Sequence, residues 1–268
     1  MRRLKSVDAL LPSEVYSELY QIVVEKKPKV ILEVGTAHGG ATIALALGAK
    51  KNNIDCQIYT IDTLESLDDI PSSRAKFGSR VANQEIVERN FANAGVSDLI
   101  ELFVGRSEEF PSVQKLTKID ILLLDADGRI DRDLVLYKDY LSNDTVIIID
   151  DITGGPKLSH SSGNFSIDLK HVAVELLLNQ LTSNQIIAVD YVVKNTAICR
   201  PIRPNEWTEE MLMQHAILAY RNLVFTKVSK QLFLKRFVLV LIKSNKIIKN
   251  LISLLKLPIN FIYRFKFF

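Results

Sequence analysis

Carboxylates placed at the ends of short aliphatic runs are the residues of this chain best suited to chemistry. Glu33 stands two positions before Gly35 in LEVGTAHGG, with Gly39 and Gly40 completing a glycine-rich turn. Such a turn lets backbone approach a ligand closely. A pyrophosphate seated on the following helix would be repelled by Glu33. A ligand carrying an ammonium and a sulfonium would be attracted. The spacing G-x-x-x-G-G also departs from the dinucleotide fingerprint G-x-G-x-x-G. S-adenosylmethionine therefore suits this turn better than NAD. Asp62, about 20 residues further on, is placed to accept hydrogen bonds from ribose hydroxyls, or else to cap a helix or loop.

A second set of carboxylates follows. Asp125 opens Asp125-Ala126-Asp127-Gly128, and Asp150-Asp151 ends the run TVIII. Acids gathered at neighbouring strand ends raise one another's pKa unless a cation compensates them. All-oxygen ligands favour Mg²⁺, Ca²⁺ or Mn²⁺ over zinc, and Mg²⁺ is the first expectation. The competing reading has Asp150 and Asp151 capping a loop and Asp127 solvated.

These side chains need strands that end together. Val30–Val34, Gln57–Ile61, Leu99–Val104, Ile119–Leu124 and Thr145–Ile149 are short β-branched or aliphatic runs, the pattern of strands buried on both faces. Helices are expected over residues 10–27, Ala41–Ala49, Gln84–Ala94 (closed by Gly95), about Leu134–Tyr140, and Asp168–Leu181. Ser13 is the expected cap of the first of these. Gln185–Val193 and Thr196–Arg200, joined by Lys194-Asn195, read as a hairpin. The fold class is α/β: a doubly wound, mostly parallel seven-stranded sheet with an antiparallel edge. Ligands of such sheets bind beyond the strands' carboxyl ends, where Glu33, Asp62, Ser107, Asp125, Asp150 and Asp151 all fall. The polar stretch 63–82 interrupts the rhythm and reads as a segment covering a substrate.

The chain has 268 residues, enough for one large domain with an appendage. Its two cysteines, Cys56 and Cys199, do not form a disulfide framework, and no secretory h-region is visible, so a cytoplasmic location is expected. The net charge of +3 conceals an asymmetry. The last acidic residue is Glu210, and eleven basic residues follow it, leaving 23 basic against 31 acidic in residues 1–210, a net of −8. Residues 1–210 are accordingly the expected catalytic domain and 211–268 a basic amphipathic helical tail.

In KIIKNLISLLK (246–256) the lysines share one side and Ile and Leu fill the rest. Four lysines between 237 and 257 argue against a spanning helix. Residues 232–268 suit an anionic membrane surface, and docking to the domain or a second copy in a homodimer is the alternative. Nucleic acid has no use for so apolar a face.

With these motifs assembled, residues 28–200 resemble class I S-adenosylmethionine-dependent methyltransferases. They are most similar to the metal-dependent O-methyltransferases of catechol and caffeoyl-coenzyme A type and their sugar- and macrolide-modifying relatives. LEVGTAHGG, YTID, VGRS, LLLDADG and IIIDDITGG occur in the family's order. The resemblance implies a Rossmann-like fold. It implies that Glu33, Gly35, Thr36, Ala37 and Gly39 line the methionine end of the cofactor, that Asp62 holds the ribose, and that Ser107 contacts the adenine. It also implies that Asp125, Asp150 and Asp151 are metal ligands. The fifth strand ends in Asp-Asp where catechol-type enzymes have Asp-Asn, which is closer to the sugar and macrolide relatives. The lysine of family members reading DADK is replaced by Gly128. Arg129, Lys157 and His160 are nearby substitutes as base, with His160 also readable as a solvated loop histidine, while His38 shapes the cofactor pocket. The expectation is divalent-metal-assisted O-methylation of a sugar or polyol-like acceptor at the inner membrane face, catalysed with Asp125 and His160. A nucleotide-binding oxidoreductase and a non-catalytic membrane-associated module are the alternatives.

Overall fold

The computed structural model describes residues 10–51, 53–64, 83–155, 157–161 and 164–225, with the side chains of 157–161, 164–167, 224 and 225 not described. The expected covering segment 65–82 and the basic tail from 226 onward lie outside the described residues.

The chain runs α1 (Ser13–Lys26), β1 (Val30–Val34), α2 (Gly40–Lys51), β2 (Gln57–Asp62), α3 (Gln84–Ala94), β3 (Ile100–Val104) and α4 (Phe110–Val113). It continues β4 (Ile121–Leu124), α5 (Ile130–Tyr137), β5 (Val146–Ile149), β6 (Lys157–Ser161), β7 (Asn164–Asp168), α6 (Lys170–Ser183), β8 (Ile187–Val193), β9 (Thr196–Pro201) and α7 (Glu209–Phe225). Seven strands form one sheet in the order β3-β2-β1-β4-β5-β9-β8. The first five are parallel and the last two add antiparallel. The order reverses between β1 and β4, and that break opens a crevice at the strands' carboxyl ends.

Alternation along the strands divides the core. Ile31, Ile58, Ile121, Leu123 and Ile148 pack with α1, α2 and α3. Leu32, Val34, Leu122, Leu124, Ile147 and Ile149 pack with α5, α6 and the first part of α7. Strands covered on both faces must be apolar throughout, as β4 (ILLL) is.

Three details differ from expectation. Ser13 does not cap α1; Pro12 takes the cap position at φ −59°, and the Ser13 hydroxyl turns to Glu14. Asn83 does cap α3, accepting from the Ile86 N–H at 2.9 Å. His160 is not in a loop: its backbone pairs with Phe165 in the β6–β7 hairpin. The compact unit runs to Leu223, past the expected boundary at 210, because Leu212, Ala216 and Ala219 of α7 are buried in the core. Charge marked the boundary in the sequence, whereas apolar spacing decides it in the fold.

Candidate active site

The crevice is built on β1. Gly35 follows that strand at φ +106°, a conformation L side chains rarely adopt. A Cβ there would lie 2.3 Å from the Asp125 carbonyl oxygen, so only glycine lets the ends of β1 and β4 come this close. Ala37 also has positive φ (48°), and its N–H donates to Asp62 Oδ2 at 2.8 Å. The Leu64 N–H donates to Asp62 Oδ1 at 3.0 Å. Asp62 thus braces the turn. Gly40 leaves room for Tyr16, whose hydroxyl would be 2.7 Å from an added Cβ. That hydroxyl accepts from the Leu10 and Leu11 N–H groups, drawing the segment before α1 over the crevice. Leu10, Leu11, Tyr16, Thr36, Ala37, His38 and Asp125 line the resulting cleft.

Glu33 is fully buried at the end of β1. The Thr42 and Thr60 hydroxyls each donate to its Oε2 at 2.5 Å. Its Oε1 finds no hydrogen-bond partner among the described residues. Burial pushes the Glu33 carboxyl up to about 8, with the two threonine hydrogen bonds opposing and Asp125 and Asp62 adding. A buried carboxylate oxygen left open beside a glycine turn is what a ligand ammonium would complete. The residues at this turn fit the cationic end of S-adenosylmethionine.

The second acidic group is equally real. Asp125, Asp150 and Asp151 bring carboxylate oxygens within 4.8 Å of one another. Asp150 Oδ1 accepts from the Thr196 hydroxyl at 2.5 Å, and Asp151 Oδ1 accepts from Asn195 Nδ2 at 3.0 Å. The Nδ1 of His171, a buried side chain, stands 3.0 Å from Asp151 Oδ1. Asp151 itself sits at φ +61°. Burial first, then the neighbouring Asp125, pushes the Asp150 carboxyl up to about 7. The donor set is right in kind for a hard divalent ion. A cation is already present, however: Lys170 Nζ bridges Asp125 Oδ1 at 3.0 Å and Asp151 Oδ2 at 2.8 Å. Its pKa is raised by these two carboxylates against the opposing effect of burial. As arranged, these residues do not fit a resident divalent ion.

Ser107 is brought to the rim after β3, yet its hydroxyl is engaged, donating to buried Asp133 at 2.9 Å. Arg132 Nε holds the same carboxylate at 3.0 Å. His160 lies in β6 and its side chain is outside the described residues. Sequence reasoning missed Tyr16, Asp133, Lys170 and His171. Tyr16 adjoins the apolar stripe of its helix and offered a signal. Lys170 offered only the need for a cation among three acids.

Residues 32–152 match the family described as a methyltransferase domain, and the match spans the glycine turn and all three clustered aspartates. Residues 32–152 make up a methyltransferase domain. Enzymes with this domain take their methyl group from S-adenosylmethionine. The fold of this methyltransferase is similar to cofactor-bound Rv0187 from MTB, at 18% identity over 75% of this chain and 86% of that one, with a TM-score of 0.53. It is also similar to an O-methyltransferase from Bacillus cereus in complex with SAH (17% identity, 75% and 91% covered, TM-score 0.51). A third likeness is to the O-methyltransferase TomG from Streptomyces achromogenes, in complex with SAM (17% identity, 72% and 82% covered, TM-score 0.50).

Proposed function

We propose that this methyltransferase alkylates oxygen, transferring the methyl group of S-adenosylmethionine to a hydroxyl of a sugar or polyol-like acceptor. The observation that carries the reading is the adjacency of the two acidic groups. Asp125 lines the cleft at the glycine turn and belongs to the aspartate cluster as well. A donor held by Glu33, Gly35, Thr36, Ala37, Gly39 and Asp62 would therefore place its methyl beside carboxylates. Those carboxylates can accept further hydrogen bonds, which the hydroxyls of an acceptor would donate. Ser107, through the Asp133 carboxylate it contacts, would stand near the adenine. In this reading Asp125 is catalytic, orienting the acceptor O–H toward the sulfonium methyl. The transfer forms one C–O bond and breaks one C–S bond. The sulfonium becomes a neutral thioether and the hydroxyl proton is released. Catalysis by alignment of this kind is chiefly a matter of holding the two reactants in line. That the Bacillus and Streptomyces relatives are called O-methyltransferases points the same way.

The metal half of the expectation does not enter this mechanism, because Lys170 stands among the ligands. For residues 232–268 the sequence supports a role on an anionic membrane surface at the cytoplasmic face, which would suit a lipid-linked or surface-glycan acceptor. Among the described residues no helix is long and apolar enough to cross a membrane. A chain lacking 232–268 keeps α7 whole. It should lose binding to phosphatidylglycerol vesicles, and undiminished binding would remove the membrane role.

The test of the activity is incubation of the full-length protein with methyl-labelled S-adenosylmethionine and a panel of monosaccharides, polyols, catechols and amines. Label should appear in methyl ethers of the vicinal hydroxyl compounds. Label in amines alone would refute the assignment to oxygen.

A further inference from the structure

Lys170 is the first residue of α6, the end of a helix where a cation is disfavoured by the macrodipole. The first turn of that helix carries no acidic residue, and the Asp168 carboxylate just before it accepts the Lys170 N–H at 2.9 Å. Its side chain is nonetheless about four-fifths buried and its ammonium reaches two carboxylates at 2.8 and 3.0 Å. Space for this reach comes from Gly128, at φ +86°, where a Cβ would lie 3.0 Å from Lys170 Cγ and 3.3 Å from Val174 Cγ2. The small residue in DADG and the lysine on α6 are therefore one arrangement: the stem of Lys170 lies over Gly128 and carries its charge into the cluster.

Four of the six carboxylate oxygens also receive protein donors. Asp151 Oδ2 and Asp125 Oδ1 receive Lys170, Asp151 Oδ1 receives Asn195, and Asp150 Oδ1 receives Thr196. A Mg²⁺ ion requires near-octahedral oxygen ligation at about 2.1 Å. It would have to strip several of these contacts and sit beside a like charge. We infer that Lys170 is the resident cation of this acidic rim, and that a divalent ion enters only by displacing its ammonium. The lysine then fixes the Asp125 carboxylate and presents N–H donors to acceptor oxygens, so that the chain itself supplies part of the site's compensating charge. This goes beyond the methyl-transfer reading and does not depend on it.

The experiment is titration of the full-length chain with Mn²⁺, followed by electron paramagnetic resonance of the free ion. Lys170→Met, Lys170→Gln and Lys170→Arg are measured in parallel, with S-adenosylhomocysteine binding measured on each sample. The wild type and Lys170→Arg should bind Mn²⁺ only weakly. Lys170→Met and Lys170→Gln should each gain one site, at least about tenfold tighter, the effect of removing a like charge at close range. One stoichiometric Mn²⁺ held by the wild type at low micromolar concentration overturns the inference. So does a folded Met or Gln variant that binds no more tightly than wild type. If neither variant folds, the wild-type titration decides alone. Loss of S-adenosylhomocysteine binding in the wild type would instead strike the methyltransferase reading and leave the Mn²⁺ result standing.

Discussion

Glu33 at the end of β1 and the Asp125–Asp150–Asp151 group beyond β4 and β5 are both carboxylate sites withdrawn from water, but they are compensated differently. Glu33 has two hydroxyl donors on one oxygen and none among the described residues on the other, and burial pushes it up to about 8. A proton is its natural companion when no ligand is bound. The aspartates have a lysine among them, held within 3.0 Å of two of the three. Leaving the charge of a site open prepares it for a cation from outside. Supplying the cation from the chain prepares the site for neutral, hydroxylated ligands. In the proposed reading the methyl donor belongs to the first site and the acceptor to the second.

Four changes would break or sharpen that contrast. The largest effect is expected for Gly35→Val, which combines a disallowed φ with backbone overlap between the two sites. It should cost more than about 4 kcal/mol and abolish cofactor binding, measured by denaturant unfolding and calorimetry. Next, Lys170→Ala should destabilise by about 3 kcal/mol at pH 8, the cost of stripping a largely buried ion pair of one partner. The loss should shrink at low pH as the aspartates take up protons.

Glu33→Gln should act in the opposite sense. The folded state binds a proton on Glu33 where the unfolded chain, with its ordinary value of 4.5, has lost it. Unfolding free energy from this group therefore falls as pH rises from about 4.5 through 8. The glutamine variant lacks that slope. It should match wild type near pH 5 and exceed it by about 3 kcal/mol at pH 8, read from urea midpoints across the range. Asp150, pushed up to about 7, contributes in the same direction, so a residual slope ending near pH 7 should survive in the variant. Smallest is Thr196→Val, which removes the hydroxyl donor to Asp150 and should cost about 1 kcal/mol in the same assay.

What could be read in advance follows the reach of each signal. Strands buried on both faces write uninterrupted aliphatic runs, so β1, β4 and β5 and the acids that close them were legible. The meeting of Asp125 with Asp150 and Asp151 follows from parallel pairing of β4 and β5, itself implied by the alternation of strands and helices. Lys170 was not legible, because it comes 45 residues after Asp125 on a helix whose orientation only packing decides. The role of Gly128 in clearing its path was hidden for the same reason. His160 was misplaced because a polar GGPKLSHSSG stretch looks like a loop, whereas hairpin pairing is satisfied by backbone groups alone. The boundary after Glu210 followed charge, and α7 carries its burial in Leu212, Ala216 and Ala219, a stripe that charge does not report.

Calorimetric titration of the full-length protein with S-adenosylmethionine, and in parallel with NADH, tests most directly that the open carboxylate of Glu33 receives a cationic methyl donor. Saturable one-site binding of S-adenosylmethionine is predicted, weakened at least about tenfold by Glu33→Gln through loss of a charge-assisted contact, with no heat from NADH. Saturable binding of NADH with none of S-adenosylmethionine, or donor binding indifferent to Glu33→Gln, would contradict it.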